Sequence, residues 1–249
     1  MTPTRPPLPN PAPAVMLSEA SFSHGEAVLF DGISIHLSAG EWSVLLGPSG
    51  VGKTTLLRLI AGLEGSATGQ VTCDDGLPAT GRIAFMAQED LLLPWLTLMD
   101  NVLLGARLRG EANADNASRA RTLLTRVGLE AYIDALPATC SGGMRQRAAL
   151  VRTLMEDRSV VLMDEPFSAL DTITRLQLQD IAADLLRDRT VFLITHDPLE
   201  ALRLGQAIYV MTGRPATIGP PPCAGWRAPT ITRQHGADGR SDRPSCPSD

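Results

Sequence analysis

Aromatic side chains are scarce, 4% of the 249 residues, so the core has to be aliphatic and stacking on nucleic-acid bases is not a theme. Net positive charge is also missing. The formal charge is −5 with Lys and Arg dispersed, which argues against a nucleic-acid partner. No apolar run approaches the ~18–20 residues needed to cross a bilayer. The Pro-rich N-terminus has no apolar signal-peptide core, so export is not expected. The four cysteines (Cys73, Cys140, Cys223, Cys246) show no metal-ligand spacing, and free thiols in a reducing compartment are expected.

What is present centres on one stretch. Gly47, Pro48, Ser49, Gly50, Val51, Gly52, Lys53, Thr54 and Thr55 fit the G-x-x-x-x-G-K-[ST] phosphate-binding loop without a mismatch. Trp42–Leu46 before it reads as a buried strand, and Thr55–Ile60 after it as a helix, the context this motif requires. Glycines let successive N–H groups turn inward onto phosphate oxygens, and the helix N-terminus adds partial positive charge. Lys53 is expected to reach the β- and γ-phosphates, and Thr54 to offer its hydroxyl to Mg²⁺.

The length suits one α/β domain with an inserted subdomain, or two small domains. Short strands are expected over Leu17–Phe22, Ala27–Leu29 and Gly32–Leu37, forming an antiparallel sheet beside the nucleotide-binding core. Strands follow at Gly69–Cys73 and Arg82–Met86, the latter delivering Gln88. From about residue 90 to 158 the pattern is helical, with helices over Leu98–Leu108 and Met144–Met155 and a helical face of Leu123, Leu124, Val127 and Leu129 that ends near Gly128. Val160–Met163 and Val191–Ile194 read as central parallel strands, Thr172–Arg187 and Pro198–Leu204 as helices, and Ala207–Met211 as a last strand. Pro-rich segments at both ends are expected to be flexible or disordered.

Two further features carry chemistry. Asp164 and Glu165 follow the Val160–Met163 strand; beside a phosphate loop the first suits Mg²⁺ and the second suits a water for in-line attack, though a charged turn looks the same in sequence. Ser141-Gly-Gly143 opens a helix and reads either as an N-cap or as a second anion site. A second phosphate site in one chain makes sense if two copies share each nucleotide.

Gly47–Thr55, Gln88, Cys140–Arg147, Val160–Glu165, Ser168–Asp171 and His196 occur in the order and at the spacings of ABC transporter ATP-binding subunits, which the chain resembles over about residues 17–211. The resemblance implies a P-loop NTPase, that is, a RecA-like α/β core with an antiparallel β subdomain and an inserted α-helical subdomain. The ATPase domain would span 16–212, with 16–88 and 159–212 forming the core and β subdomain and 89–158 the helical subdomain. Residues 1–15 would be a flexible tail and 213–249 a disordered one. The resemblance also implies ATP and Mg²⁺ as ligands, with Thr54, Gln88 and Asp164 at the metal. Glu165 would be the catalytic carboxylate, with His196 and Gln88 beside it. A homodimer, or a pair with a second ATPase subunit, would place Ser141, Gly142 and Gly143 on the γ-phosphate held by the other copy, with Asp171 linking the two sites. By register the adenine-stacking position is His24. The signature departs from the family form at its edges, with Cys140 for Leu and Met144 for Gln.

Leu91–Val102 follows Gln88 where such subunits meet their membrane partner, and is either subdomain core or a groove in which Leu93, Pro94 and Trp95 contact a permease. Its Leu-Pro-Trp-x-x-x-x-x-Asn-Val form resembles importers of the nitrate, sulfonate and taurine group, which includes carriers of thiamine-pyrimidine precursors. The tail has no match to the regulatory domain of sugar-importer ATPases. Together these imply an ATP-hydrolysing importer subunit, peripheral on the cytoplasmic face of the inner or plasma membrane, working with permease subunits and indirectly with a solute-binding protein. The rivals are a soluble non-transport ABC-type ATPase and a module that binds ATP without hydrolysing it.

Overall fold

The computed structural model describes residues 12–219. In chain order the strands and helices are β1 (Val15–His24), β2 (Ala27–Leu37), β3 (Trp42–Leu46), α1 (Lys53–Ile60), β4 (Thr68–Cys73), β5 (Ile83–Met86), α2 (Leu98–Val102), α3 (Leu104–Leu108), α4 (Ala114–Arg126), α5 (Gly142–Met155), β6 (Val160–Asp164), α6 (Thr172–Leu185), β7 (Thr190–Ile194), α7 (Pro198–Leu204), β8 (Ala207–Gly213) and β9 (Ala216–Gly219). Short 3₁₀ turns lie at Glu130–Tyr132 and Pro137–Thr139.

The nine strands of the described residues join one sheet in the order β4-β1-β2-β9-β8-β3-β7-β6-β5. Strands β8, β3, β7, β6 and β5 run parallel, while β4, β1 and β2 pair antiparallel. Alternation along the parallel strands explains why the apolar runs are continuous. Val44, Val161, Met163, Val191 and Leu193 face one core, with α2, α4 and α5, whereas Leu45, Val160, Leu162, Phe192 and Ile194 face the other, with α1, β1 and β2. The sheet is therefore buried on both sides, and its carboxyl edge is left for chemistry.

Several expectations shift. Ala27–Leu29 and Gly32–Leu37 form a single strand, β2, that passes through Gly32 at φ 66 with register shifts against β1. The helix expected over Leu98–Leu108 is interrupted at Leu103, yet Leu103 N–H still bonds Met99 O and Arg107 N–H bonds Leu103 O, so this is a local kink. Gly128 at φ 72 closes the turn after α4, as a glycine past a C-cap does. The disorder expected from 213 fails at its start, because Ala216–Gly219 pairs antiparallel with β8 and bridges to Phe30 of β2. The tail expected to be flexible through residue 15 is fixed from Ala12: this residue is buried, Thr190 Oγ1 donates to Pro13 O at 2.6 Å, and Val15 opens β1. The Pro-rich segment through Pro11, and residues 220–249 with Cys223 and Cys246, lie outside the described residues. Cys73 and Cys140 are buried free thiols.

Candidate functional site

Strand β3 sits between β7 and β8, near the middle of the parallel strands, so the loop that leaves Leu46 emerges at the carboxyl edge of the sheet. Strands β6 and β7 end beside it, at Asp164 and Ile194, and β5 ends at Met86. The topology thus brings Gly47–Thr55, Gln88, Asp164, Glu165 and His196 to one edge.

The loop has no room for side chains at two glycines. A Cβ on Gly47 would stand 2.5 Å from Met211 O, and Gly52, the N-cap of α1 at φ 111, lies against Leu29. Lys53 folds into the loop, its Nζ donating to Gly47 O at 2.8 Å and Pro48 O at 2.9 Å. Burial lowers its pKa, while the carboxylates of Glu165 and Asp164 oppose that shift. Both carbonyls are placeholders that a phosphate oxygen can replace. Thr54 Oγ1 donates to Asp164 Oδ2 at 2.7 Å. Burial raises the Asp164 pKa, with the Thr54 hydrogen bond opposing it.

Glu165 is gripped from two sides through one oxygen. Oε2 lies 3.3 Å from Gln88 Nε2 and 3.2 Å from His196 Nδ1. Its backbone extends the β6–β7 ladder by donating to Ile194 O and then turns into the left-handed region at φ 46, where Ser168 closes onto Glu165 O. A non-glycine residue held there is strained, and such strain is retained where the surroundings fix it. Glu165 and His196 line a small pocket together with Arg175 and Glu200. This arrangement can hold a water on a carboxylate beside a phosphate.

Ser141–Gly143 and Asp171 are not joined to that cluster by any hydrogen bond among the described residues. Each is occupied locally. Ser141 Oγ caps α5 by accepting from Met144 N–H at 3.3 Å, and Asp171 Oδ1 caps α6 by accepting from Thr174 N–H at 3.0 Å, which holds the Asp171 pKa down. Both capping residues are exposed. Cys140 is buried and Met144 packs against the larger core, so the two departures from the family signature point inward and leave Ser-Gly-Gly intact.

Trp95 is 71% exposed, so the core reading of this residue is excluded within the chain. The turn that presents it is built by Asn101, fully buried, whose Nδ2 donates to the carbonyls of Leu93, Leu96 and Thr97 while Oδ1 accepts from Leu93 N–H. The sequence marks Asn101 only as part of the Leu-Pro-Trp…Asn-Val form, and its bracing role does not show there because its ligands are backbone groups. His24 lies exposed at the tip of the β1–β2 hairpin, and Phe22 is engaged with Phe30 at 6.1 Å between ring centroids.

A family profile described as ABC transporter matches residues 30–168, more than half of the chain. The chain belongs to the ABC transporter family. Relatives agree along most of its length. It is 45% identical over 199 residues to an uncharacterized ABC transporter ATP-binding protein of Haemophilus influenzae, covering 79% of this chain and 81% of that one. It is 42% identical over 213 residues to the taurine import ATP-binding protein TauB of Pseudomonas aeruginosa, covering 83% and 80%. Among solved structures, a dimeric ATP-binding cassette in a post-hydrolysis state bound to ADP and Pi matches with a TM-score of 0.70 at 29% identity, covering 79% of this chain and 93% of that one. The ABC fold accounts for the β4-β1-β2 flank and for the α2–α5 helices inserted between β5 and β6.

Proposed function

We propose that this ABC protein is the ATP-hydrolysing subunit of an importer, and that two copies cleave ATP between them while bound to membrane permease subunits. One observation carries the hydrolytic reading: Glu165 is held by Gln88 and His196 one residue beyond Asp164, at the same sheet edge as the phosphate loop. Lys53 exchanges its two loop carbonyls for β- and γ-phosphate oxygens, and the N–H groups of Gly47–Thr55 take the rest of the charge. Glu165 accepts a proton from water as the water oxygen bonds to the γ-phosphorus and the bond to the β-bridging oxygen breaks, giving ADP and phosphate. His196 holds Glu165 and the transferred γ-phosphoryl group in line.

The donor set fits Mg²⁺. Thr54 Oγ1 and Asp164 Oδ2 are two hard oxygens 2.7 Å apart, with Gln88 nearby through Glu165, and no cluster of three His, Cys, Asp or Glu exists among the described residues. That suits an ion completed by phosphate and water. When bound, Mg²⁺ supplies charge neutralisation across the β- and γ-phosphates.

Ser141, Gly142 and Gly143 of a second copy complete the γ-phosphate site, and Asp171 links the two. His24, exposed at the tip of the β1–β2 hairpin, is assigned by register to the adenine ring. Leu93, Pro94 and Trp95 form the permease contact. The name of the taurine import relative supports a small sulfonate-like solute, nitrate and pyrimidine precursors being the neighbouring choices, chosen by a solute-binding protein and the permease. It does not favour a soluble non-transport ATPase. No described helix is long and apolar enough to cross a membrane, in keeping with a peripheral subunit at the cytoplasmic face.

Glu165→Gln tests the reading. Phosphate release is expected to fall roughly 10²–10⁴-fold with ATP binding retained and the dimer trapped closed. Near-normal turnover in that variant sinks the assignment.

A further inference from the structure

The segment after Gln88 does not run free. Two arginines of α5, seven residues apart and so on one helical face, hold it. Arg145 Nε donates to Asp90 Oδ2 at 2.9 Å, while its Nη1 returns to Cys140 O at 2.9 Å, just ahead of the Ser141 cap. Two turns on, Arg152 donates from Nη1 to Leu91 O at 2.8 Å and from Nη2 to Asp90 O at 2.7 Å. One guanidinium can bridge two successive carbonyls because Leu91 sits at φ 46; a left-handed residue aligns the carbonyls on either side of it, which an extended one would point apart. Leu91 is 58% exposed, so nothing its own side chain gains by packing explains that conformation. Arg152 is half-buried, and burial lowers its pKa against the pull of Asp90 and Glu156.

Helix α5 is a rigid lever. Ala148, Ala149, Leu150, Val151, Leu154 and Met155 are buried in the larger core, and its first turn carries Ser141–Gly143. We propose that Arg152, assisted by Arg145, is a positioning residue that ties Gln88 at one ATP to the Ser-Gly-Gly turn offered to the other. The idea rests on the two-copy reading above. Engagement of Gln88 shifts the carbonyls of Asp90 and Leu91, and the Arg152 fork passes that shift to α5. The same segment continues into the Asn101-braced turn beneath Trp95, so permease docking reaches α5 by the same clamp.

The test uses the full chain carrying Glu165→Gln, comparing ATP-dependent dimerisation by light scattering with ADP affinity of the monomer, which needs only the loop. Arg152→Gln is expected to raise the ATP concentration for dimerisation about tenfold or more, as loss of charge-assisted bonds does, with ADP affinity within about twofold. Arg152→Lys, a single ammonium that cannot bridge both carbonyls, is expected to fall between. Adding Arg152→Gln to Gln88→Ala is expected to change dimerisation by less than about twofold, because the lever then has no input. An unmoved dimerisation curve, a parallel loss of ADP affinity, or full additivity with Gln88→Ala overturns the proposal. If the Glu165→Gln parent does not dimerise with ATP, the two-copy reading falls and takes this one with it.

Discussion

The phosphate loop and the Ser141–Gly143 turn are both glycine-bearing helix N-termini, yet they are finished to different degrees. Around the loop the partners are already in place: Lys53 is satisfied by two carbonyls, Thr54 by Asp164, and Glu165 by Gln88 and His196. Around Ser141 the bonds are local ones, the cap to Met144 N–H, Arg145 Nη1 on Cys140 O and Arg147 Nε on Gly143 O, and the exposed pair Ser141 and Gly142 bonds to no residue of the loop cluster. A helix end that is capped, exposed and followed by a core-anchored rod is complete as structure and incomplete as a site. The difference teaches that, on the proposed two-copy function, one chain would build the cleaving half and merely display the clamping half.

The largest effect expected from that asymmetry is complementation. Lys53→Ala disables a loop and Ser141→Arg disables a turn, so each variant alone is expected to lose turnover. Mixed, they form a pair in which one intact loop faces one intact turn, and phosphate release returns. If the mixture stays dead while each variant is folded and dimerises, the two halves do not meet in trans.

The next contrast separates built from displayed surface in the segment after Gln88. Asn101→Ala leaves three carbonyls and one N–H without their buried partner and is expected to cost about 2–4 kcal/mol in chemical denaturation. Trp95→Ala, at an exposed position, is expected to stay within about 0.5 kcal/mol while co-purification with the permease falls. A large stability loss at Trp95 places it in the fold after all.

The smallest effect probes Glu200, which lines the pocket beside Glu165. Burial raises the Glu200 pKa, opposed by hydrogen bonds from Thr195 and Gln179. A carboxyl whose folded pKa lies above its unfolded value is costly to keep ionised at neutral pH, and that cost disappears as pH falls through the raised value. Glu200→Gln is therefore expected to raise the neutral-pH melting temperature, by roughly 2–4 °C for each kcal/mol relieved, with the gain shrinking on acidification. A gain that is constant with pH argues against an ionised Glu200 as its source.

Much of this was readable from the chain because the parallel strands announce themselves. Trp42–Leu46, Val160–Asp164 and Thr190–Ile194 are apolar on both faces, and each ends on or just before a residue that carries chemistry. What stayed hidden depends on distant partners. Ala216–Gly219 is a strand only because Val210–Gly213 lies beside it, and four residues after a proline carry no local sign of that. The Arg145–Arg152 face was visible as spacing, but its ligands are backbone carbonyls, which have no letter in a sequence. That His196 and Gln88 stand beside Glu165 was implied by the family resemblance alone; their meeting on one oxygen is a product of strand order, which periodicity does not encode.

The loop-bound amine has one more consequence. Lys53 is the only lysine in the 249 residues, all the other positively charged side chains at neutral pH being arginine. Its Nζ is drawn into the loop by Gly47 O and Pro48 O, with its pKa lowered by burial. Apart from the α-amino group, an amine-selective acylating reagent therefore meets a single side-chain amine on this protein, and it lies buried inside the phosphate loop. Labelling at that amine, read by mass alone, reports how often the loop releases it from the two carbonyls.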